Sequence, residues 1–205
     1  MISLSNISVK FNDLEIRYPD FQLAEGDQLL ISGNSGVGKS TLIKVISAMQ
    51  PFSGSYRFRD MDVASLSQQQ KDEFRAQHIG LALQQTHYIA SLSVLENLML
   101  AQLPSRKQNK SKILELLEKL GLENKVKAKC QQLSGGELQR FNFIRALLSG
   151  SSLMLVDEPS ANLDDAHTQT LMDTLLQLCE EEGRSLIAVS HDARIKNRFQ
   201  NVLKL

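Results

Sequence analysis

The stretch GNSGVGKST, Gly33 to Thr41, crowds glycines, one lysine and hydroxyl side chains into nine residues. Gly33 to Ser40 fits the spacing G-x-x-x-x-G-K-[ST]. Glycine lets a backbone turn tightly and aim successive N–H groups at oxygens. A helix that follows adds the positive end of its dipole. The chemistry that such a pattern supports is the holding of phosphate. The backbone of Gly33, Asn34, Ser35, Gly36, Val37 and Gly38, running on into Thr41, would wrap the anion. Lys39 would reach the β- and γ-phosphates, and the Ser40 hydroxyl would ligate Mg²⁺. The plainer reading is a glycine-rich strand-to-helix turn. The flanks argue for phosphate, because apolar QLLIS precedes the loop and STLIKVISAM, with apolar residues at helical spacing, follows it.

A phosphate loop needs an acid for its metal. SLMLVDE supplies two in succession. Asp157, at the end of an apolar run, would hold Mg²⁺ through its water shell, and Glu158 would polarise an attacking water as general base. The competing reading is a pair of exposed acids before Pro159. A third stretch, LSGGELQR (Leu133 to Arg140), places small residues ahead of a helix expected to start near Glu137. Ser134, Gly135 and Gly136 would form a second anion-binding helix N-terminus. One nucleotide needs one phosphate loop, so a second site on the same chain suggests use in trans, on a nucleotide held by another copy. As a bare helix cap, S-G-G-E is common.

These groups must be brought together by the elements around them. SLSNISVKF and LEIRY alternate apolar and polar residues, as an antiparallel pair does, and GSYRF reads as a further short strand. QLLIS, IGLALQ, SLMLVDE and SLIAVSHD are continuous apolar runs, the pattern of parallel strands buried on both faces. Ser40 to Met49 reads as a helix stopped by Pro51, and Asp164 to Glu182 as a long one. From Ser93 to about Ser149 the periodicity is helical throughout. The expectation is a single α/β domain over 1–205. Its core comprises about 1–84 and 151–205, and a helical insert covers about 85–150. Polar residues gather where strands end, the edge at which open parallel sheets bind ligands.

Composition narrows the function. The chain has 205 residues, enough for a sizeable core, and 42% of them are hydrophobic. Lys+Arg and Asp+Glu both number 23, so no global field draws in nucleic acid, and none is expected as a partner. The basic cluster Arg106, Lys107, Lys110 and Lys112 reads as a solvated turn into a helix. Cys130 and Cys179 lie far apart with no ligand spacing around them, which argues against zinc and fits a reducing compartment. MISLSNISVKF has no long apolar core, so no signal peptide is expected, and no run approaches the roughly 20 apolar residues of a membrane span.

Taken together, the phosphate loop, LSGGELQR, DEPSANLD, SVLENL and LGLENKVKAKCQQ resemble the ATP-binding cassette (ABC) ATPases over nearly the whole chain. The similarity is strongest to the cassette subunits of the lipoprotein-releasing, macrolide-export and cell-division type. The resemblance implies a P-loop NTPase (RecA-like) core with a small N-terminal antiparallel β subdomain and a helical insert carrying LSGGE. It implies that Gln84 touches Mg²⁺ and senses the γ-phosphate, and that Ser134, Gly135 and Gly136 clamp the γ-phosphate across a dimer interface. Ser160 to Asp164 would form the loop between the two sites. His191 would contact the γ-phosphate and order the water, although by itself it reads rather as a cap at a strand-to-helix turn. Phe11 falls where the family stacks an aromatic on adenine, with Tyr18 as the other candidate. Residues Gln85 to about Met99, with Tyr88, Ile89, Leu92, Val94 and Leu95, would line a groove for a transmembrane partner. Glu137 replaces the more frequent glutamine of the family pattern. The sequence continues only fourteen residues past His191, which leaves C-terminal regulation in doubt.

The implied protein is an ATPase subunit on the cytoplasmic face of the inner membrane. It would form an ATP-dependent homodimer around ATP and Mg²⁺ and drive a separate integral membrane permease, with Lys39, Glu158 and His191 as the catalytic groups. The rival reading is a non-transport ABC ATPase of the chromosome-maintenance or DNA-repair kind. Such chains usually carry long coiled coils, and no sustained heptads appear here. A binding module without turnover is the third class, against which the intact Glu158 stands.

Overall fold

The computed structural model describes residues 1–12, 14–103, 108–160 and 165–205. Arg106 and Lys107 of the basic cluster, and residues 161–164 of the SANLD run, lie outside the described residues. In chain order the elements are β1 (Ile2–Phe11), β2 (Leu14–Arg17), β3 (Phe21–Leu23), β4 (Gln28–Ser32), α1 (Lys39–Ile46), β5 (Ser53–Phe58), β6 (Met61–Asp62), α2 (Gln68–His78) and β7 (Ile79–Ala82). They continue with α3 (Val94–Ala101), α4 (Lys110–Lys119), α5 (Gly135–Leu148), β8 (Leu153–Asp157), α6 (Asp165–Glu181), β9 (Ser185–Ser190), α7 (Ala193–Lys196) and β10 (Asn201–Lys204).

Two sheets result. One is antiparallel, in the order β2-β1-β5-β6 with β3 also paired to β1. The other is parallel throughout, in the order β10-β4-β9-β8-β7. Because successive side chains of a strand face opposite ways, the parallel strands divide their apolar residues between two cores. Leu30, Met154, Val156, Leu186 and Ala188 enter one core with helices α3 to α6. Leu29, Ile31, Leu153, Leu155, Ile187 and Val189 enter the other with α1 and the antiparallel sheet. Every residue of β8 and of β9 is buried, which is why both read as unbroken apolar runs.

Several boundaries depart from the pattern in the sequence. Helix α1 ends at Ile46, well before Pro51, because Ala48 turns into the left-handed region (φ 53°) and the Met49 N–H closes onto the Lys44 carbonyl at 2.7 Å. Helix α5 begins at Gly135 rather than Glu137. Ser134 is its N-cap and Glu137 sits at the third helical position of a capping box. Helix α2 has no counterpart in the periodicity, since only Phe74 of it is buried. That ring meets Tyr56 and Phe58 edge to face.

Strand β7 carries Gly80 where α5 ends against it. A Cβ at Gly80 would lie 2.7 Å from the Ala146 carbonyl oxygen and 2.5 Å from Ser151 Oγ. Gly80→Ala therefore forces the helix off the strand. Overpacking of this kind costs about 1–3 kcal/mol, so urea unfolding should show a lower midpoint with an unchanged slope; a wild-type midpoint would mean that this contact yields freely.

Candidate active site at the strand ends

The glycine loop, Gln84, Asp157, Glu158 and His191 lie at the carboxyl edge of the parallel sheet. Strand β4 runs into the glycine loop, β7 stops at Ala82 two residues before Gln84, β8 ends on Asp157, and β9 leads through Ser190 to His191. They wall a cleft of about 770 Å³ lined by Ser35, Gly36, Gly38, Lys39, Ser40, Thr41, Gln84, Glu158, Ser160, His191 and Asp192 to Arg194. Gly33, Asn34 and Val37 belong to the loop but do not line the cleft.

Gly36 and Gly38 hold positive φ, 80° and 102°, which other residues adopt only with strain. Gly38 also has no room for a side chain, because a Cβ there would stand 2.9 Å from the Tyr18 hydroxyl. That hydroxyl donates to the Gly38 carbonyl at 3.0 Å. Tyr18 is thus buried beneath the loop as a prop, and its ring is unavailable for stacking on a base. Phe11, 41% exposed at the end of β1, lies outside the cleft wall.

Lys39 opens α1 and is only 7% exposed. Its ammonium donates to the Gly33 carbonyl at 2.9 Å and the Asn34 carbonyl at 3.0 Å, and lies 3.7 Å from Glu158 Oε1. This is a cation held over the loop by carbonyls alone and one acid, well placed for an anion in the cleft.

Glu158 is held through its N–H, its carbonyl and its carboxylate. Its backbone sits at φ 50°, in the left-handed region that costs a non-glycine residue roughly 1–2 kcal/mol. The Glu158 N–H donates to the Val189 carbonyl at 2.9 Å, and its own carbonyl accepts from Gln139 Nε2 at 3.2 Å. Its carboxylate accepts from Ser190 Oγ at 2.8 Å and meets His191 Nδ1 at 2.9 Å. A carboxylate can only accept, so Nδ1 carries the proton. Strained backbone at φ 50° persists where the surroundings over-determine it, as they do here.

Asp157 stands one residue earlier and is 8% exposed. Burial pushes its carboxyl above the usual aspartate range, and the nearby Glu158 charge adds to this. The Ser40 hydroxyl, hydrogen-bonded to it, and Lys39 and Lys44 act the other way. Its Oδ1 is buried with no hydrogen-bond partner. An orphaned acid oxygen beside a serine hydroxyl is a donor set for a hard divalent cation such as Mg²⁺, which keeps most of its waters and needs few protein ligands. Among the described residues no group of three or more His, Cys, Asp or Glu gathers as a metal cage.

The Ser134-Gly135-Gly136 end of α5 takes no part in the wall of the cleft. Only Gly135 reaches a neighbouring cavity, of about 130 Å³, which Gln84, Gln139, Asn142, Asp157 and Glu158 also line. The capping box occupies the Ser134 and Glu137 N–H groups. The first two helical N–H groups, of Gly135 and Gly136, remain without intrahelical acceptors. The backbone N–H of Ser134 and the Lys125 ammonium, 3.1 Å away, hold the Glu137 carboxyl below its ordinary value. In the segment that leads into α3 and in its first turn, Val94 is core and Tyr88 and Leu95 are partly packed, while Ile89 is 49% exposed. Val94 therefore cannot line a surface groove. The buried Asn97 side chain pins this segment, accepting from the Ile89 N–H at 2.8 Å and donating to the Ile89 carbonyl at 3.1 Å. Sequence reasoning missed Tyr18 as a prop, Ser190 as a ligand of Glu158, and Gln139, whose only signal was its place in LSGGELQR.

Comparison with known proteins follows the same lines. A family model described as ABC transporter matches residues 16–161. The lipoprotein-releasing system ATP-binding protein LolD of Legionella pneumophila (strain Lens) is 34% identical over 190 residues, which are 91% of this chain and 84% of that protein. The macrolide export ATP-binding/permease protein MacB of Photorhabdus laumondii is 34% identical over 184 residues, 88% of this chain and 28% of that one. Among solved structures, the dimeric post-hydrolysis state of the ATP-binding cassette MJ0796 bound to ADP and Pi superimposes with a TM-score of 0.90 at 28% identity, covering 100% of this chain and 94% of that one.

The raised affinity of Asp157 for its proton has a testable sign. A carboxyl whose folded value lies above its unfolded one favours the fold at low pH, and that contribution is lost as pH rises through the folded value. At neutral pH the ionised Asp157 therefore opposes folding. Without nucleotide or divalent cation, Asp157→Asn should melt higher than wild type at pH 7, and the gain should shrink as the pH is lowered into the range where Asp157 is protonated. A variant that melts lower at pH 7 would contradict this account of the site.

Proposed function

The chain belongs to the ABC transporter family of ATP-hydrolysing cassettes, and from that membership we propose that it is the ATP-binding subunit that powers a separate membrane-embedded permease. The observation that carries this reading is the convergence of Lys39, Glu158 and His191 on one cleft, with the phosphate loop on its wall. ATP is the nucleotide. Its β- and γ-phosphates would lie against the loop amides and the Lys39 ammonium, which would leave its carbonyl partners for a charged one. Ser40, Asp157 and Gln84 would hold Mg²⁺, whose charge would offset that of the phosphates. Glu158 would take the proton of the attacking water, and His191, anchored to the same carboxylate, would set the water's direction and contact the γ-phosphate.

Ser134, Gly135 and Gly136 stand outside this cleft, so the unpaired amides of Gly135 and Gly136, with the Ser134 hydroxyl, would serve the nucleotide of a second copy in a head-to-tail dimer. The parallel sheet with the antiparallel sheet against it would form the catalytic core, about 1–84 and 151–205, and residues of about 85–150 the helical insert. No described helix is long and apolar enough to cross a membrane. Work across the membrane would then pass to another polypeptide through the segment around Ile89, with the chain seated on the cytoplasmic face.

Two substitutions separate binding from chemistry. Lys39→Ala should weaken ATP binding about ten- to a hundredfold, since a hydrogen bond to a charged group contributes about 1.5–3 kcal/mol. Glu158→Gln should keep Mg-ATP binding and lower turnover by about 10²–10⁴. Titration with a fluorescent ATP analogue and a phosphate-release assay measure both; a Glu158→Gln enzyme with wild-type turnover would place the base elsewhere. For the partner, wild-type protein recovered from detergent-solubilised membranes should carry an integral membrane protein that Ile89→Glu loses while still binding ATP. Equal recovery by both forms would move the docking surface away from Ile89.

A further inference from the structure

Helix α5 does more than end in the Ser134-Gly135-Gly136 turn. Gln139, Asn142 and Arg145 are spaced three apart, so they follow one another along one side of it. Each is spent on the backbone of one of two functional segments, the Glu158 turn or the stretch around Gln84. Gln139 Nε2 donates to the carbonyls of Glu158, at 3.2 Å, and of Pro159. Asn142 Nδ2 donates to the Leu83 carbonyl at 2.6 Å. The Arg145 guanidinium donates to the His87 carbonyl and, at 2.7 Å, to Asn142 Oδ1. The contacts at Leu83 and His87 bracket Gln84. The contact at Glu158 clamps the one carbonyl of a residue held at φ 50°.

We propose that Gln139, Asn142 and Arg145 are positioning residues that act as one unit, a polar stripe on α5 that sets the Glu158 turn and the Gln84 segment in a common register. The proposal rests on the reading of Glu158 as the base. Three features support a role beyond holding the fold. Gln139 Oε1 is buried without a partner, which a purely structural cross-link would not leave. Gln139 and Asn142 of the stripe line the cavity of about 130 Å³ that Gln84, Asp157 and Glu158 share, so there is room for the helix to shift against the strand ends. Ser134 caps the same helix, so whatever seats on that end moves the stripe as part of one rigid element. A helix displaced by an anion at its N-terminus would carry the Glu158 and Gln84 backbones with it. No group on the stripe touches the reacting atoms, so it acts through Glu158 and Gln84 alone.

The test uses the full chain and three readouts: steady-state ATP hydrolysis, affinity for a fluorescent ATP analogue, and the thermal midpoint. Gln139→Met keeps length and volume and removes the amide. Arg145→Lys keeps charge and removes the fork that joins His87 to Asn142. Each should lower kcat about ten- to a hundredfold, the scale of a misplaced catalytic group, with nucleotide affinity and thermal midpoint close to wild type. Because both break one unit, the double variant should lose no more than about twofold beyond the worse single variant, a non-additivity expected of coupled residues. Losses that multiply, losses that follow ATP affinity or melting, or an unchanged kcat would each overturn the stripe. Glu158→Gln in the same assay separates the two claims. If it still turns over, the base assignment falls and the stripe with it; if it is inactive while Gln139→Met matches wild type, the stripe alone falls.

Discussion

The carboxylate of Glu158 is the point on which the structure turns. Its side chain is 14% exposed, and it is shared by Ser190, His191 and, at 3.7 Å, Lys39. A charge so far from water must be met by donors and an opposite charge, or it neutralises or stays outside. Here the donors come from the last residue of β9 and the residue after it, and the cation from the first residue of α1. Three parallel strands must therefore end level with one another for the site to exist. The level edge is set in turn by the parallel ladders, which pair Asp157 with Val189 and Ser32 with Ser190. Two cores, one on each face of the sheet, hold those ladders in place.

Two tensions are built into this arrangement. Glu158 sits in a backbone region that suits glycine, and Asp157 beside it keeps a buried oxygen without a partner. Both cost stability in the chain alone. Both make sense if the site is completed from outside: a cation for Asp157, a phosphate for Lys39, and a helix end from a second copy. The Ser134 end of α5 takes no part in the wall of its own cleft, so in the proposed dimer it would serve the γ-phosphate held by such a copy. The account of catalysis in trans is built on that separation.

Much of this was legible in the sequence because burial on both faces leaves a plain mark. QLLIS, SLMLVD and SLIAVS could hardly be anything but central parallel strands, and the acid, histidine and glycine loop at their ends followed. The short edge elements β3, β6 and β10, of two to four residues, carry too little pattern to be seen. Helix α2 stayed hidden because its single buried residue, Phe74, gives no period. The start of α5 was misplaced by two residues because Glu137 reads as a first turn, whereas its side chain reaches back to cap Ser134. Tyr18 reads as an aromatic near a nucleotide, and only the packing of Ile16 and Tyr18 under Gly38 shows it to be a prop. The contacts of Gln139, Asn142 and Arg145 join segments up to 59 residues apart, and no local spacing announces them.

The central claim is that ATP itself completes the interface between two copies. Light scattering on size-exclusion chromatography of the Glu158→Gln protein tests it directly, since that variant is expected to hold ATP without consuming it and mass action then favours whatever form binds it best. The account predicts a monomer without nucleotide and a dimer with Mg-ATP, returning to monomer when Ser134 and Gly136 are both replaced by bulky residues. A dimer that forms equally without nucleotide, or a monomer in saturating Mg-ATP, would contradict it.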